Sequence, residues 1–153
     1  MGAAWYVSPP SEEMCREVEE LGIAAPPVND NAVSPTPEQV FQTLKGFPEY
    51  RVSLRRGSYK RPAKHTVEQA IHLDLRRQDG SYAIEINLLS VTDDDQPALL
   101  VFPYGKVDEV VQIVTKLAET CGPLLLWHDS GETPIVVYPV NAAEPHADAI
   151  RRI

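Results

Sequence analysis

Apolar and polar residues alternate from Ile71 to Leu75 and again from Ile84 to Leu88, with Asp79-Gly80 between the two runs. Alternation of period two marks a half-buried strand, and Asp-Gly is a strong two-residue turn signal, so the segment predicts a β-hairpin. With the turn there, Leu75 faces Ile84, Leu73 faces Ile86 and Ile71 faces Leu88, and one face of the hairpin is wholly apolar. A slip of one residue in one strand would set apolar side chains against polar ones, which fixes the register. The same register sets His72 opposite Asn87, Asp74 opposite Glu85 and Arg76 opposite Ala83 on the other face.

Other elements follow from similar patterns. Trp5-Tyr6-Val7 reads as a short strand ended by Pro9-Pro10. Ser11 is placed to cap a helix whose first turn holds Glu12 and Glu13, whose stripe is Met14, Val18 and Leu21, and whose end is Gly22. Residues 24–37 hold four prolines among Asn, Asp and Ser and predict an internal loop. Thr36-Pro37-Glu38-Gln39 is a capping-box helix start, followed by Val40, Phe41 and Leu44 and stopped at Gly46. Tyr50, Val52 and Leu54 alternate with Arg51, Ser53 and Arg55, which predicts another half-buried strand.

Ala98 to Phe102 is a continuous apolar run, as in a strand buried on both faces. Val107, Val110, Val111, Val114, Leu117 and Ala118 recur at helical spacing before Gly122-Pro123. Leu124–Trp127 and Ile135–Tyr138 predict two buried strands, and 142–153 a short helix or a frayed tail. The expected order is β-α-α-β-β-β-β-α-β-β in one globular domain spanning 1–153. The fold class is α+β, with a mainly antiparallel sheet of about five to seven strands and two to four helices packed on one face.

Composition narrows the function classes. The chain has 153 residues, 43% hydrophobic and 24% charged, which suits an ordinary globular domain and not a disordered chain or a coiled coil. No apolar run reaches the roughly 20 residues of a membrane helix, and the first ten residues lack a signal-peptide pattern, so a cytoplasmic protein is expected. Cys15 and Cys121 lie far apart and outside any metal or redox spacing, so both are expected to be free core thiols.

No catalytic or phosphate-binding motif is complete. His128-Asp129-Ser130-Gly131 holds the residue types of a hydrolase triad, but triad partners come from separate segments and a nucleophile elbow needs Gly-x-Ser-x-Gly. Tyr104-Gly105-Lys106 precedes a helix without either glycine-rich phosphate pattern, so Gly105 reads as a tight strand-to-helix turn. His65 and His146 carry no assigned role. One polar patch stands out: His72, Asp74, Glu85 and Asn87 on the hairpin's polar face, where two opposed carboxylates invite a cation or a shared proton. The plainer reading is a solvated sheet face with Arg76 or Arg51 as counter-charge; a metal-binding or acid–base role is the alternative, although no metal-motif spacing supports it, and no cofactor is expected.

Charge is unevenly spread. The chain carries a formal net charge of −8, yet seven of its 14 basic side chains lie between Lys45 and Lys64, with Glu49 the only acid there. Arg51, Arg55, Arg56, Lys60, Arg61 and Lys64 therefore form a basic patch, interleaved with Tyr50 and Tyr59. Such a patch can grip nucleic acid, but the acidity of the rest of the chain repels a polyanion, so docking onto the acidic first helix or plain solvation is the first expectation and a protein partner the second. Candidate contacts for a cationic partner are Glu12, Glu13, Glu17, Glu20, Asp93, Asp94, Asp95, Asp129 and Glu132. Small size, acidity and the lack of a catalytic motif point to a non-catalytic protein-interaction module. In size and charge the chain resembles the small acidic bacterial immunity and antitoxin proteins that neutralise a basic toxin or nuclease. A homodimer through an uncovered sheet edge is a further option.

Overall fold

The structure, a computed structural model, describes residues 4–29, 32–61 and 66–139, apart from the side chains of Lys60, Arg61 and Thr66. The elements are β1 (Trp5–Ser8), α1 (Glu12–Glu20), α2 (Pro37–Leu44), β2 (Tyr50–Arg61), β3 (Thr66–Arg77), β4 (Tyr82–Val91), β5 (Leu99–Tyr104), α3 (Val107–Cys121), β6 (Leu124–His128) and β7 (Ile135–Val137). This is the expected order, and the α+β class holds. Neither Cys15 nor Cys121 is in a disulfide bond, and the Cys15 thiol donates to the Pro26 carbonyl at 3.6 Å. The expected tail at 142–153 and the basic residue Lys64 lie outside the described residues.

The seven strands form one sheet in the order β2-β3-β4-β5-β1-β6-β7, antiparallel at every pairing. β1 sits between β5 and β6, and α3 carries the chain from β5 past β1 to β6. That turn into α3 needs Gly105: its φ is +152°, and a Cβ there would lie 3.0 Å from Val110 and 3.4 Å from Ile84.

One core joins α2 and α3 to one face of the sheet. Val40 and Leu44 from α2, and Val110, Ile113, Val114 and Leu117 from α3, pack with Leu73, Ile86, Leu100, Phe102 and Leu126 from the strands. Burying such side chains contributes roughly 1.5–3 kcal/mol each. Cys15, Val18 and Leu125 are also buried but stand outside this cluster.

The local rules that predicted the helices are visible in their ends. The Ser11 hydroxyl accepts from the Met14 N–H, and Thr36 and Gln39 complete a reciprocal capping box ahead of Pro37. Glu109, in the first turn of α3, accepts from the Tyr50 hydroxyl and from Arg77, both at 2.6 Å, and so ties that helix end to β2 and β3.

Two expectations need correction. The hairpin turn is not two residues long: the Gly80 N–H donates to the Arg77 carbonyl, the Arg77 N–H donates to the Ser81 carbonyl, and Gly80 takes φ +89°. This is a three-residue loop with a left-handed glycine, and it pairs Arg76 with Tyr82 rather than with Ala83. A bulge then takes up Ala83, which restores the Leu75–Ile84, Leu73–Ile86 and Ile71–Leu88 pairs.

The strand at Tyr50–Arg55 is also longer than its alternation suggested and is not half-buried. β2 is the outer strand of the sheet, and Val52 and Leu54 are 43% and 45% exposed on the helix side, because the apolar cover ends at β3.

Candidate functional site

The acidic run Asp93-Asp94-Asp95 lies in the β4–β5 connection, and backbone hydrogen bonds hold that connection against the start of α2. The Glu38 N–H donates to the Asp94 carbonyl at 2.9 Å, and the Ala98 N–H donates to the Pro35 carbonyl at 3.1 Å. The capping box fixes the first turn of α2 and so points Glu38 into the same place. A groove of ≈ 680 Å³ results, bounded by Glu38, Asp93, Asp94 and Asp95, by Arg56 of β2 and by the ends of β3 and β4 at Gln69 and Val91.

Four carboxylates thus face one guanidinium, and that guanidinium is engaged. Arg56 donates to both oxygens of Asp94, at 3.0 and 2.7 Å, and these bonds hold the Asp94 carboxyl below its ordinary range. Glu38, Asp93 and Asp95 remain exposed along the groove. A second depression of ≈ 580 Å³ continues past Glu38 and Asp95 to Lys116 and Glu119 of α3, which pair with each other at 3.4 Å.

The other expected acidic contacts lie elsewhere. Glu12, Glu13, Glu17 and Glu20 are exposed on α1, with Glu12 3.6 Å from Arg16, and none of them borders the groove. Asp129 and Glu132 follow β6, whose end pairs with Trp5 at the opposite end of the sheet from Asp93–Asp95. Asp129 has a structural task there, since its carboxylate accepts from the Ala4 N–H at 2.9 Å and its own N–H donates to the Ala4 carbonyl at 3.1 Å.

In the same turn, Ser130 Oγ and Glu132 Oε2 both approach His128 Nδ1, at 2.5 and 3.2 Å. A hydrolytic relay uses one ring nitrogen for the nucleophile and the other for the acid, so two partners on one nitrogen do not build one. The edge of the His128 ring is instead packed against Trp5, with centroids 4.4 Å apart. Cys121 is no candidate nucleophile either, because burial pushes its thiol up to about 11.

The register brings His72, Asp74, Glu85 and Asn87 together on the polar face, as the alternation implied. They largely satisfy one another. His72 Nδ1 lies 2.6 Å from Asn87 Oδ1, and Nε2 lies 2.8 Å from Asp74 Oδ1. Tyr82 donates to the same Asp74 oxygen at 2.6 Å and reaches Glu85 at 3.3 Å. The Tyr82 bond, then the one from His72, keeps the Asp74 carboxyl low, while Tyr82's own ionisation is pushed up to about 12. Arg76 lies 4.5 Å above the Tyr82 ring, and Tyr104 meets that ring edge-on at 5.8 Å. Among the described residues, no group of three or more His, Cys, Asp or Glu side chains is arranged to hold a metal ion. Tyr82 is the residue that the sequence reading missed here. The bulge at Ala83 is what turns it toward Asp74, and only the three-residue loop reveals that.

The basic run is drawn out along β2 rather than gathered into a patch. Arg51 donates to the Gln78 carbonyl at 2.8 Å, Arg55 lies opposite His72 and helps hold the Asp74 carboxyl low, and Arg56 pairs with Asp94. Lys60 and Arg61 continue the same strand. Among the described residues, the ion pair of this run is with the β4–β5 connection, and none is made with the acidic helix α1. No helix of the described residues is long and apolar enough to cross a membrane. Comparison with protein-family models, with curated proteins and with solved structures found no match.

Proposed function

We propose that this protein is a non-catalytic interaction module that neutralises a basic protein partner, in the manner of a small acidic immunity or antitoxin protein. The groove at the start of α2 carries this reading: Glu38, Asp93 and Asp95 converge on it from two segments distant in sequence, and Arg56, the cation among its described residues, is engaged by Asp94. A capped helix and a backbone-bonded connection fix the backbone beneath these carboxylates, which lowers the ordering cost when a Lys or Arg enters between them. The overall charge of −8 adds long-range attraction for a cationic protein and speeds encounter.

The test uses three baits against a lysate of the source organism, bound at low salt and washed with rising salt. One bait is the wild type, one carries Glu38→Gln, Asp93→Asn and Asp95→Asn, and one carries Glu17→Gln and Glu20→Gln. The expected result is one basic protein, retained in stoichiometric amount by the wild type and the α1 variant and lost by the groove variant. Retention of the same protein by all three baits, or its loss with the α1 variant alone, overturns the assignment of the groove.

A further inference from the structure

Among the described residues, β2 is a long outer strand with an open side. Among the described residues it pairs only with β3, over 12 residues, whereas the opposite outer strand, β7, has three. Every residue from Arg51 to Ser58 is exposed. At an outer strand, alternate residues turn their N–H and C=O groups outward, and a long strand of this kind is a template for a further strand.

The two sides of β2 differ in chemistry. Register with β3 sets Val52 and Leu54 on the helix side, opposite Leu75 and Leu73, and sets Arg51 and Arg55 on the polar side, opposite Arg76 and His72. Arg56, on the helix side, is matched by Asp94. Arg51 bonds only a carbonyl and Arg55 acts on Asp74 through space, and among the described residues neither makes an ion pair, so the edge calls for negative charge on one side and apolar surface on the other, alternating residue by residue. A second copy of this chain meets it less well, because it brings no carboxylate to this edge: β2 itself carries no acidic residue between Tyr50 and Arg61, and pairing centred on Ser53 sets Arg51 opposite Arg55.

We propose that the outer edge of β2 takes up an extended acidic segment of a protein partner by strand addition. Its acidic side chains lie beside Arg51 and Arg55, and its intervening apolar side chains extend the helix-side layer past Val52 and Leu54. Both arginines keep donors for this role, since Arg51 uses one nitrogen on Gln78 and a guanidinium carries five N–H groups. The inference is independent of the acidic groove, which binds the opposite charge.

The probe is a short synthetic peptide alternating Glu with Val, titrated into the full chain and followed by amide chemical shifts. Shifts are expected along β2, with affinity lost in an Arg51→Ala, Arg55→Ala variant of unchanged melting temperature and for the same peptide with Lys in place of Glu. Two N-methylated forms test the strand geometry, one methylated at every Glu nitrogen and one at every Val nitrogen. Successive amides of a strand point to opposite edges, so for an antiparallel added strand, the alignment of every pair in this sheet, one form should bind at least tenfold more weakly and the other should bind like the parent. Equal binding by both forms means no fixed strand alignment and overturns the proposal. So does absence of binding at about millimolar peptide, or a β2-dependent dimer in sedimentation. A Glu38→Gln, Asp93→Asn variant should bind the peptide as the wild type does, which separates this result from that of the groove.

Discussion

Leu73 and Leu54 are direct partners across β3 and β2, both on the helix side of the sheet, yet Leu73 is 1% exposed and Leu54 is 45% exposed. The two strands carry the same alternation of apolar and polar residues. What separates them is where the cover stops: α2 and α3 pack over the middle of the sheet, and β2 extends beyond them. Alternation reports that a strand has two unlike sides, but it does not report whether anything lies on the apolar one. In the middle of the sheet that side stabilises the fold. At the outer strand it remains available to something else.

The contrast can be broken most directly by truncation. Leu73→Ala should cost about 2–5 kcal/mol in urea unfolding, because it leaves a cavity in the main cluster, while Leu54→Ala should cost under about 1 kcal/mol. Equal costs would mean that β2 is covered after all. Thr36→Ala should cost about 1 kcal/mol by removing half of the capping box, and should also loosen the first turn of α2 that holds Glu38 in the groove. Slower hydrogen exchange at Glu38 in the wild type than in the variant would show the second effect.

Smaller still is the ion pair that links the outer strand to the groove. A double-mutant cycle on Arg56→Ala and Asp94→Ala should give a coupling of about 0.5 kcal/mol or less, falling with salt, since both side chains are more than a third exposed and solvent screens them.

The smallest effect is on proton binding. Asp74 titrates below its unfolded-state value, so its contribution to stability is present above about pH 4 and fades as the pH falls through its folded-state midpoint. Tyr82→Phe removes the largest cause of that depression. A carboxyl titration by NMR should show the Asp74 midpoint move up toward the ordinary carboxylate value, with the acid-limb loss of stability correspondingly shallower. An unmoved midpoint would assign the depression to His72 and Arg55 instead.

Much of the fold was legible because its signals are local. The capping box at Thr36–Gln39, the helical repeat from Val107 to Ala118 and the apolar pairing of Ile71–Leu75 with Ile84–Leu88 each lie within a short stretch of chain. The His72–Asp74–Asn87 group was legible for the same reason, since hairpin register alone sets it. The groove was not. Asp93–Asp95 were visible as an acidic run, but Glu38 joins them only because the β4–β5 connection hydrogen-bonds to a helix start far back in the chain. Glu109 likewise meets Tyr50 and Arg77 across three elements, and nothing near it in sequence announces either partner. The Arg56–Asp94 pair was hidden for a related reason: charge counts name blocks along the chain, whereas the sheet brings single residues together.

The central claim is that the groove serves binding and the helix-covered core serves stability, so the two should separate in one comparison. The measurement is the association rate of the captured basic partner with the wild type and with the Glu38→Gln, Asp93→Asn, Asp95→Asn variant across a range of salt, on proteins of matched melting temperature. The account predicts a wild-type rate that falls steeply with salt, and a variant that starts slower and depends on salt more weakly. Identical rates and salt slopes for the two proteins would contradict it.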